Sequence, residues 1–254
     1  MIKGSISWFV ADKKDVEFVV EFTKGYKFNV ELAFYELKDL DLVNALLDVP
    51  SEYVSSIHLP KGLTHKDYVD ETGIVKNLAK VFEVDLFVVH PWASDLMAIA
   101  DSVVDEEQYC LCLESFRSKR TGQGNPFRLL ADFGRHFQTD WMGLCIDFSH
   151  LASELCHFNV LKYWLPYTKM IHASGCVPGK QEHVPVFLHG SAINAVSVVG
   201  QTLAIKDLKV REIVLEYMKQ YKSYLVKNIF WLNSAIKEKR RRWGTESEKK
   251  ELEV

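Results

Sequence analysis

The sequence predicts a closed (β/α)8 barrel, on three observations. Short β-branched or aromatic runs alternate along the chain with longer segments of helical period, the pattern of repeated βα units on a parallel sheet. Eight such units follow one another within 254 residues, close to the about 250 residues over which barrels of this kind run as one domain. No glycine-rich fingerprint follows the first strand, which argues against an open, doubly wound sheet.

Taken in order, Ile6 to Val10 is the first strand and Lys13 to Lys24 the first helix, with apolar positions Val16, Val19, Val20 and Phe22. Phe28 to Tyr35 is the second strand, and Asp39 to Leu47 is helical after it. The third strand, Tyr53 to Leu59, carries His58 near its end, and Lys66 to Phe82 reads as one long amphipathic helix. The fourth, Asp85 to His90, is an apolar run closed by a histidine and Pro91. The fifth, Gln108 to Glu114, leads into a basic, glycine-containing loop, SFRSKRTGQGN, and Pro126 opens a helix to Phe137 from its first turn. The sixth strand is the most informative stretch: MGLCIDFSH, Met142 to His150, runs from apolar residues straight into Asp147, with His150 three residues later. Helix follows from Leu151 to Tyr163. Lys169 to His172 is a short seventh strand before a long loop, ASGCVPGKQEHVPVFLHGS. Ala192 to Ile205 is helical, Val210 to Glu216 is the eighth strand and Lys219 to Lys239 the last helix. The barrel is expected over residues 1–243. The polar residues 244–254 are expected to fray.

Hydrophobic content of 48% with 26% charged residues is that of a globular chain with one core. A net charge of -3 gives no support to a surface built to hold nucleic acid. The five cysteines are odd in number and lack the paired spacing of a zinc ribbon. Cys110, Cys112 and Cys145 lie within apolar strands, where thiols pack as small hydrophobes, so a reducing compartment is expected. The opening MIKGSISWFVADKKD has too short an apolar run for a signal peptide, and no run approaches the about 18 apolar residues of a membrane span. A cytoplasmic protein without a membrane partner is the expectation.

In such a barrel the interior is filled and the site is built at the carboxyl ends of the strands. The last polar residues of the strands are His58, His90, Glu114, Asp147 with His150, His172 and Glu216, so six strands bring acids and imidazoles to one rim. Carboxylate and imidazole together suit zinc or manganese, and a carboxylate ending an apolar run requires a partner. Singly, each has a plainer account. Asp147 or Ser149 can cap a helix, Glu114 can pair with Arg117, and Glu216 can open the last helix. Jointly these accounts need six coincidences in phase with the strands. His65, His136 and His157 are expected at the surface or as caps, and the basic run Lys237 to Trp243 is expected to complement the dipole of the last helix.

These residues resemble the xylose isomerase-like TIM-barrel superfamily, which holds sugar isomerases and epimerases and also the endonuclease IV family. The resemblance rests on VEL at Val30 to Leu32, HP at His90, LES at Leu113 to Ser115, DFSH at Asp147 to His150 and LE at Leu215 to Glu216, in this order over nearly the whole chain. For the epimerase branch it implies one divalent metal, Zn, Mn, Co or Mg, held by Glu114, Asp147, His172 and Glu216. His150 then lies near the substrate, and Glu114 and Glu216 move a proton through a metal-bound enediolate. The substrate class is a small carbohydrate or sugar phosphate. The endonuclease IV branch implies a polynuclear zinc phosphodiesterase, acting on DNA at abasic sites with up to three ions and with His58, His90, His150 and His183 as further ligands. Against it, Gln181 stands where that family has an aspartate, and Lys61 where it has a tyrosine. The isomerase is preferred. Lys61, Arg117, Lys119, Arg120 and Lys180 lie in loops of the same rim, and Lys61, Arg117 and Lys180 are the candidates for holding the substrate.

Overall fold

The computed structural model describes residues 2–91, 95–115, 125–151, 158–177, 181–188, 191 and 194–245. Its strands are β1 (Lys3–Phe9), β2 (Asn29–Ala33), β3 (Val54–His58), β4 (Leu86–Val89), β5 (Cys110–Glu114), β6 (Met142–Asp147), β7 (Thr168–Ala173), β8 (Gly175–Val177), β9 (Gln181–Val184) and β10 (Glu212–Glu216). Eight of them close a barrel in the order β1-β10-β7-β6-β5-β4-β3-β2, parallel throughout. The helices α1 (Lys13–Tyr26), α2 (His65–Val69), α3 (Ile74–Phe82), α4 (Leu96–Glu106), α5 (Pro126–Phe133), α6 (Phe158–Trp164), α7 (Ala195–Leu203) and α8 (Lys222–Trp243) fall in the connections and after β10. The chain is thus a (β/α)8 barrel, as its alternating pattern predicts.

Strand alternation sorts the side chains into two cores. Outward-facing Ile57, Phe87, Leu111, Leu113, Ile146, Ile171 and Leu215 belong to the large cluster shared with the helices. Inward-facing Leu86, Val88, Cys110, Cys112, Cys145, Met170 and Val214 form a second, smaller cluster inside the barrel. The same inward phase carries Glu114 above Cys112, Asp147 above Cys145, His172 above Met170 and Glu216 above Val214. A period of two residues therefore delivers the acids and imidazoles to the barrel axis once the apolar filling ends.

Several elements differ from the sequence expectation. The expected single helix from Lys66 to Phe82 is two, α2 and α3, because the chain turns at Asp70 to Gly73. A Cβ on Gly73 would sit 2.8 Å from the carbonyl oxygens of Lys66, Asp67 and Asp70, so this tight turn requires glycine. The segment expected as an α-helix over Asp39 to Leu47 is 3-10 helix from Leu37 to Asp48, with the Asp39 carboxylate accepting the amides of Tyr35 and Glu36. The long loop after β7 contains an antiparallel ribbon, β8 with β9, which the polar, glycine-containing sequence did not announce. Helix α8 starts later and runs to Trp243. At its basic end Arg241 and Arg242 pair with Glu238, and Arg240 donates to the Ile2 carbonyl.

Two histidines expected at the surface are not there. His136 is buried beside Phe133 and holds Asp101 at 2.7 Å, and His65 is half-buried with Ser102 Oγ at 3.1 Å. Both lie on short helical segments whose buried side the sequence window was too short to reveal. Cys156, His157 and residues 246–254 lie outside the described residues. No helix among the described residues is long and apolar enough to cross a membrane.

Candidate metal centre

The sixth strand positions its acid by using the two carboxylate oxygens differently. Asp147 Oδ1 accepts from the Ser149 amide at 2.7 Å, the Ser149 hydroxyl at 2.9 Å and the His150 amide at 3.3 Å, so it holds the turn that follows β6. Asp147 Oδ2 is turned the other way, 3.0 Å from His150 Nδ1. One oxygen fixes the turn and the other is left for the site. In register, Asp147 lies beside His172 on β7.

Glu114, at the end of β5, is the hub. Its Oε2 lies 3.3 Å from His90 Nε2 and 3.6 Å from His58 Nε2; its Oε1 lies 3.5 Å from His172 Nδ1 and 4.0 Å from His150 Nδ1. His172 Nδ1 is also 3.0 Å from Glu216 Oε2, which in turn is 3.5 Å from His183 Nδ1. His183 comes from β9, in the left-handed backbone region at φ 49°, and touches Ser149 Oγ at 3.2 Å. The ribbon absent from the sequence reading is therefore what brings His183 over the barrel mouth.

Among the described residues four groups of donor atoms result, each with all its atoms within 4.8 Å of one another: Glu114, Asp147, His172 and Glu216; His58, His90 and Glu114; Asp147, His150 and His183; and Glu31, His58 and His172. All eight proposed metal-ligating positions thus meet in one mouth. Of the proposed substrate-binding residues, Lys61 lines the cavity there, its Nζ 2.5 Å from Tyr35 Oη, while Arg117, Lys119, Arg120 and Lys180 lie outside the described residues.

Glu31 is the member that the sequence reading missed. It lies within β2 rather than at a last polar position, fully buried, with Oε2 3.1 Å from His172 Nε2 and Oε1 4.0 Å from His58 Nδ1. Its signal was present: a glutamate inside an apolar strand is almost never buried without a partner.

The electrostatics are those of acids and imidazoles that balance one another out of water. Glu114 is held well below the usual carboxylate range: burial alone would raise it, but His58, His172, His150 and His90 together overcome that. Burial likewise opposes charge on His150, yet Asp147, Glu114 and Glu216 lift it to about 10. His172 is also raised well above its ordinary value, against burial, by Cys145, Glu31 and Glu216. His90 goes the other way, to about 3, through burial and the neighbouring His58. Without a metal, the acids are balanced by protons on imidazole.

The hydrogen-bond pattern leaves donor atoms for an ion. Glu114 Oε2, Asp147 Oδ2, Glu216 Oε2, His58 Nε2 and His172 Nδ1 are buried with no hydrogen-bond partner, although they crowd together. A bound divalent ion satisfies carboxylate and imidazole donors at once, and the donor set fits one. Cys145, beneath the centre, is pushed up to about 12 by burial.

The cavity above these residues holds about 300 Å³ and is walled by Phe9, Phe34, Tyr35, Tyr217 and Lys61. That is the low end of small-molecule sites, with apolar faces and a few convergent polar groups.

Among solved structures, the chain is similar to an L-ribulose 3-epimerase, with a TM-score of 0.60 at 13% identity over 95% of this chain and 97% of that one. It is similar to a xylose isomerase domain-containing protein of Salmonella typhimurium LT2, with a TM-score of 0.58 at 10% identity over 91% and 94% of the two chains. It is also similar to a D-tagatose 3-epimerase-like protein, with a TM-score of 0.56 at 17% identity over 92% and 99%. No protein-family model matches the sequence, and no curated protein matches it. At these identities the likeness shows the fold alone, a (β/α)8 barrel.

Proposed function

We propose that the protein is a divalent-metal-dependent isomerase or epimerase of a small sugar or sugar phosphate. The observation that carries the reading is the convergence of Glu114, Asp147, His172 and Glu216, from four different strands, with donor atoms within 4.8 Å of one another. The structural likeness to sugar epimerases supports the substrate class. These four residues would hold the ion, and a bound ion supplies a positive charge that polarises a substrate carbonyl and its neighbouring hydroxyl. Glu114 and Glu216 face the centre from β5 and β10; one removes the proton from the carbon beside the carbonyl and the other returns it, through an enediolate of the substrate. His150, its Nδ1 3.0 Å from Asp147 and 4.0 Å from Glu114, holds a substrate hydroxyl. Phe9, Phe34, Tyr35 and Tyr217 exclude water, and Lys61 meets a phosphate where the sugar carries one. The buried thiols Cys110, Cys112 and Cys145 fit a reducing, cytoplasmic setting.

Proton exchange tests this directly. The manganese-loaded protein is incubated in D2O with a panel of ketoses and ketose phosphates, and deuterium at the carbon beside the carbonyl is followed by NMR. Incorporation that disappears with Glu114→Gln is expected; none with any substrate overturns the reading.

A second reading, a polynuclear zinc phosphodiesterase, draws on the groups His58, His90 and Glu114 and Asp147, His150 and His183. It ranks below the first because solved structures similar to this chain include sugar epimerases, and because Lys61 and Gln181 depart from the endonuclease IV pattern. Two or three zinc ions per chain with cleavage of an abasic duplex would reverse that order.

A further inference from the structure

The two nitrogens of an imidazole point in opposite directions, and the His172 ring has acids on both sides. Its Nδ1 faces Glu216 at 3.0 Å and Glu114 at 3.5 Å, while its Nε2 faces Glu31 alone at 3.1 Å. A divalent ion goes to the side with more negative charge, where Asp147 completes the group of donors, and the opposite nitrogen is then left to carry the proton. A fully buried carboxylate within hydrogen-bond reach of that nitrogen is the arrangement that orients a metal-bound histidine and raises its basicity.

We propose that Glu31 is a positioning residue: it accepts the Nε2 proton of His172 and so makes Nδ1 the nitrogen turned toward Glu114, Asp147 and Glu216. Glu31 does this from a rigid place. It sits within β2, paired in register with Ser7 on β1 and Ser56 on β3, so its carboxylate cannot follow the site as a loop residue would. Its other oxygen lies 4.0 Å from His58 Nδ1, beyond hydrogen-bond distance, so His172 is the ring that it holds. Were Glu31 itself a ligand together with Nε2, the three carboxylates on the Nδ1 side would be left facing one another without the ion. The assignment rests on the metal-dependent reading above.

The test compares wild type and Glu31→Gln, a substitution that keeps the volume, by competition of manganese and zinc against a chelator, together with long-range 15N NMR of the histidines in the zinc-loaded wild type. The expected result is about 10–100-fold weaker binding in the variant, the cost of removing such an outer partner, with full stoichiometry restored at excess metal. In the wild-type spectrum His172 is expected to carry its proton on Nε2. Unchanged affinity, loss of one equivalent of metal even at saturation, or a His172 protonated on Nδ1 overturns the assignment while leaving the metal-dependent reading standing. A wild type that binds no divalent ion overturns both. The NMR measurement needs no variant and decides the matter even if Glu31→Gln fails to fold.

Discussion

Glu114→Gln is the sharpest perturbation of the centre, because Glu114 is shared by two donor groups, with His58 and His90 on one side and Asp147, His172 and Glu216 on the other. The substitution preserves shape and removes one charged donor from each. At a free metal concentration of about 100 times the wild-type dissociation constant, binding stabilises the folded state by about 2.7 kcal/mol. For a domain of about this length, one kcal/mol moves the melting temperature by roughly 2–4 °C, so the wild type should gain about 5–11 °C on adding metal. Loss of an outer-shell partner already costs about 10–100-fold in affinity, so loss of a ligating carboxylate should cost at least about 100-fold. At the same metal concentration the variant then sits near half saturation, gains only about 0.4 kcal/mol, and shifts by about 1–2 °C. Differential scanning fluorimetry of the chelator-treated proteins, titrated with manganese or zinc and paired with elemental analysis, measures both shifts. The comparison uses the metal-induced shift rather than the absolute melting temperature, since removing Glu114 also changes the metal-free protein by withdrawing the negative charge beside four imidazoles. A shift as large in the variant as in the wild type would refute the assignment of Glu114 as a ligand.

The metal-free protein should also show a pH signature. His150 has a folded value of about 10 against an ordinary 6.5, so its contribution to stability is complete below about pH 6.5 and is lost as pH rises toward 10. Glu114, depressed in the folded state, contributes above its ordinary 4.5 and loses that contribution as pH falls. Melting temperature in chelator should therefore decline between pH 6.5 and 10, and a flat profile would remove His150 from the balance. Lys61→Ala should raise KM about threefold to tenfold for a phosphorylated sugar while leaving kcat unchanged, the effect of a partly exposed charged contact. Equal loss with an unphosphorylated sugar would show that Lys61 does not read a phosphate. In the outer core, Phe87→Ala should cost about 3–5 kcal/mol, seen as a lowered denaturation midpoint at unchanged slope. Asp12→Ala removes the side chain that accepts the Lys14 and Asp15 amides at the start of α1 and should cost about 1 kcal/mol.

Much of this architecture is local in origin, and so it could be read along the chain. Strand and helix periods differ, and the apolar run of each strand ends where the barrel interior stops being filled, which is why Glu114, Asp147, His172 and Glu216 stand out as the closing polar residues of their strands. The same logic failed for Glu31. It faces the axis from within β2, and an inward-facing residue in mid-strand looks like any other interruption of an apolar run until its partners on β3 and β7 are known. His136 was misplaced for a related reason: its burial comes from packing against Phe133, on a neighbouring turn, and from Asp101, 35 positions away in the sequence. His183 was picked out by its place in a resemblance, but its route into the mouth depends on the β8–β9 ribbon, whose pairing is set by the surrounding loops rather than by strand propensity.

The sequence by itself determined the eight-fold alternation, the closed sheet and the chemical type of the residues at its carboxyl rim, because backbone period and burial preference act over a few residues at a time. Only the tertiary structure decided which donors share a group, that Glu114 stands at their centre and that Glu31 lies behind His172. Those relations are distances of 3 to 4 Å between strands far apart in the chain, set by barrel closure and strand register.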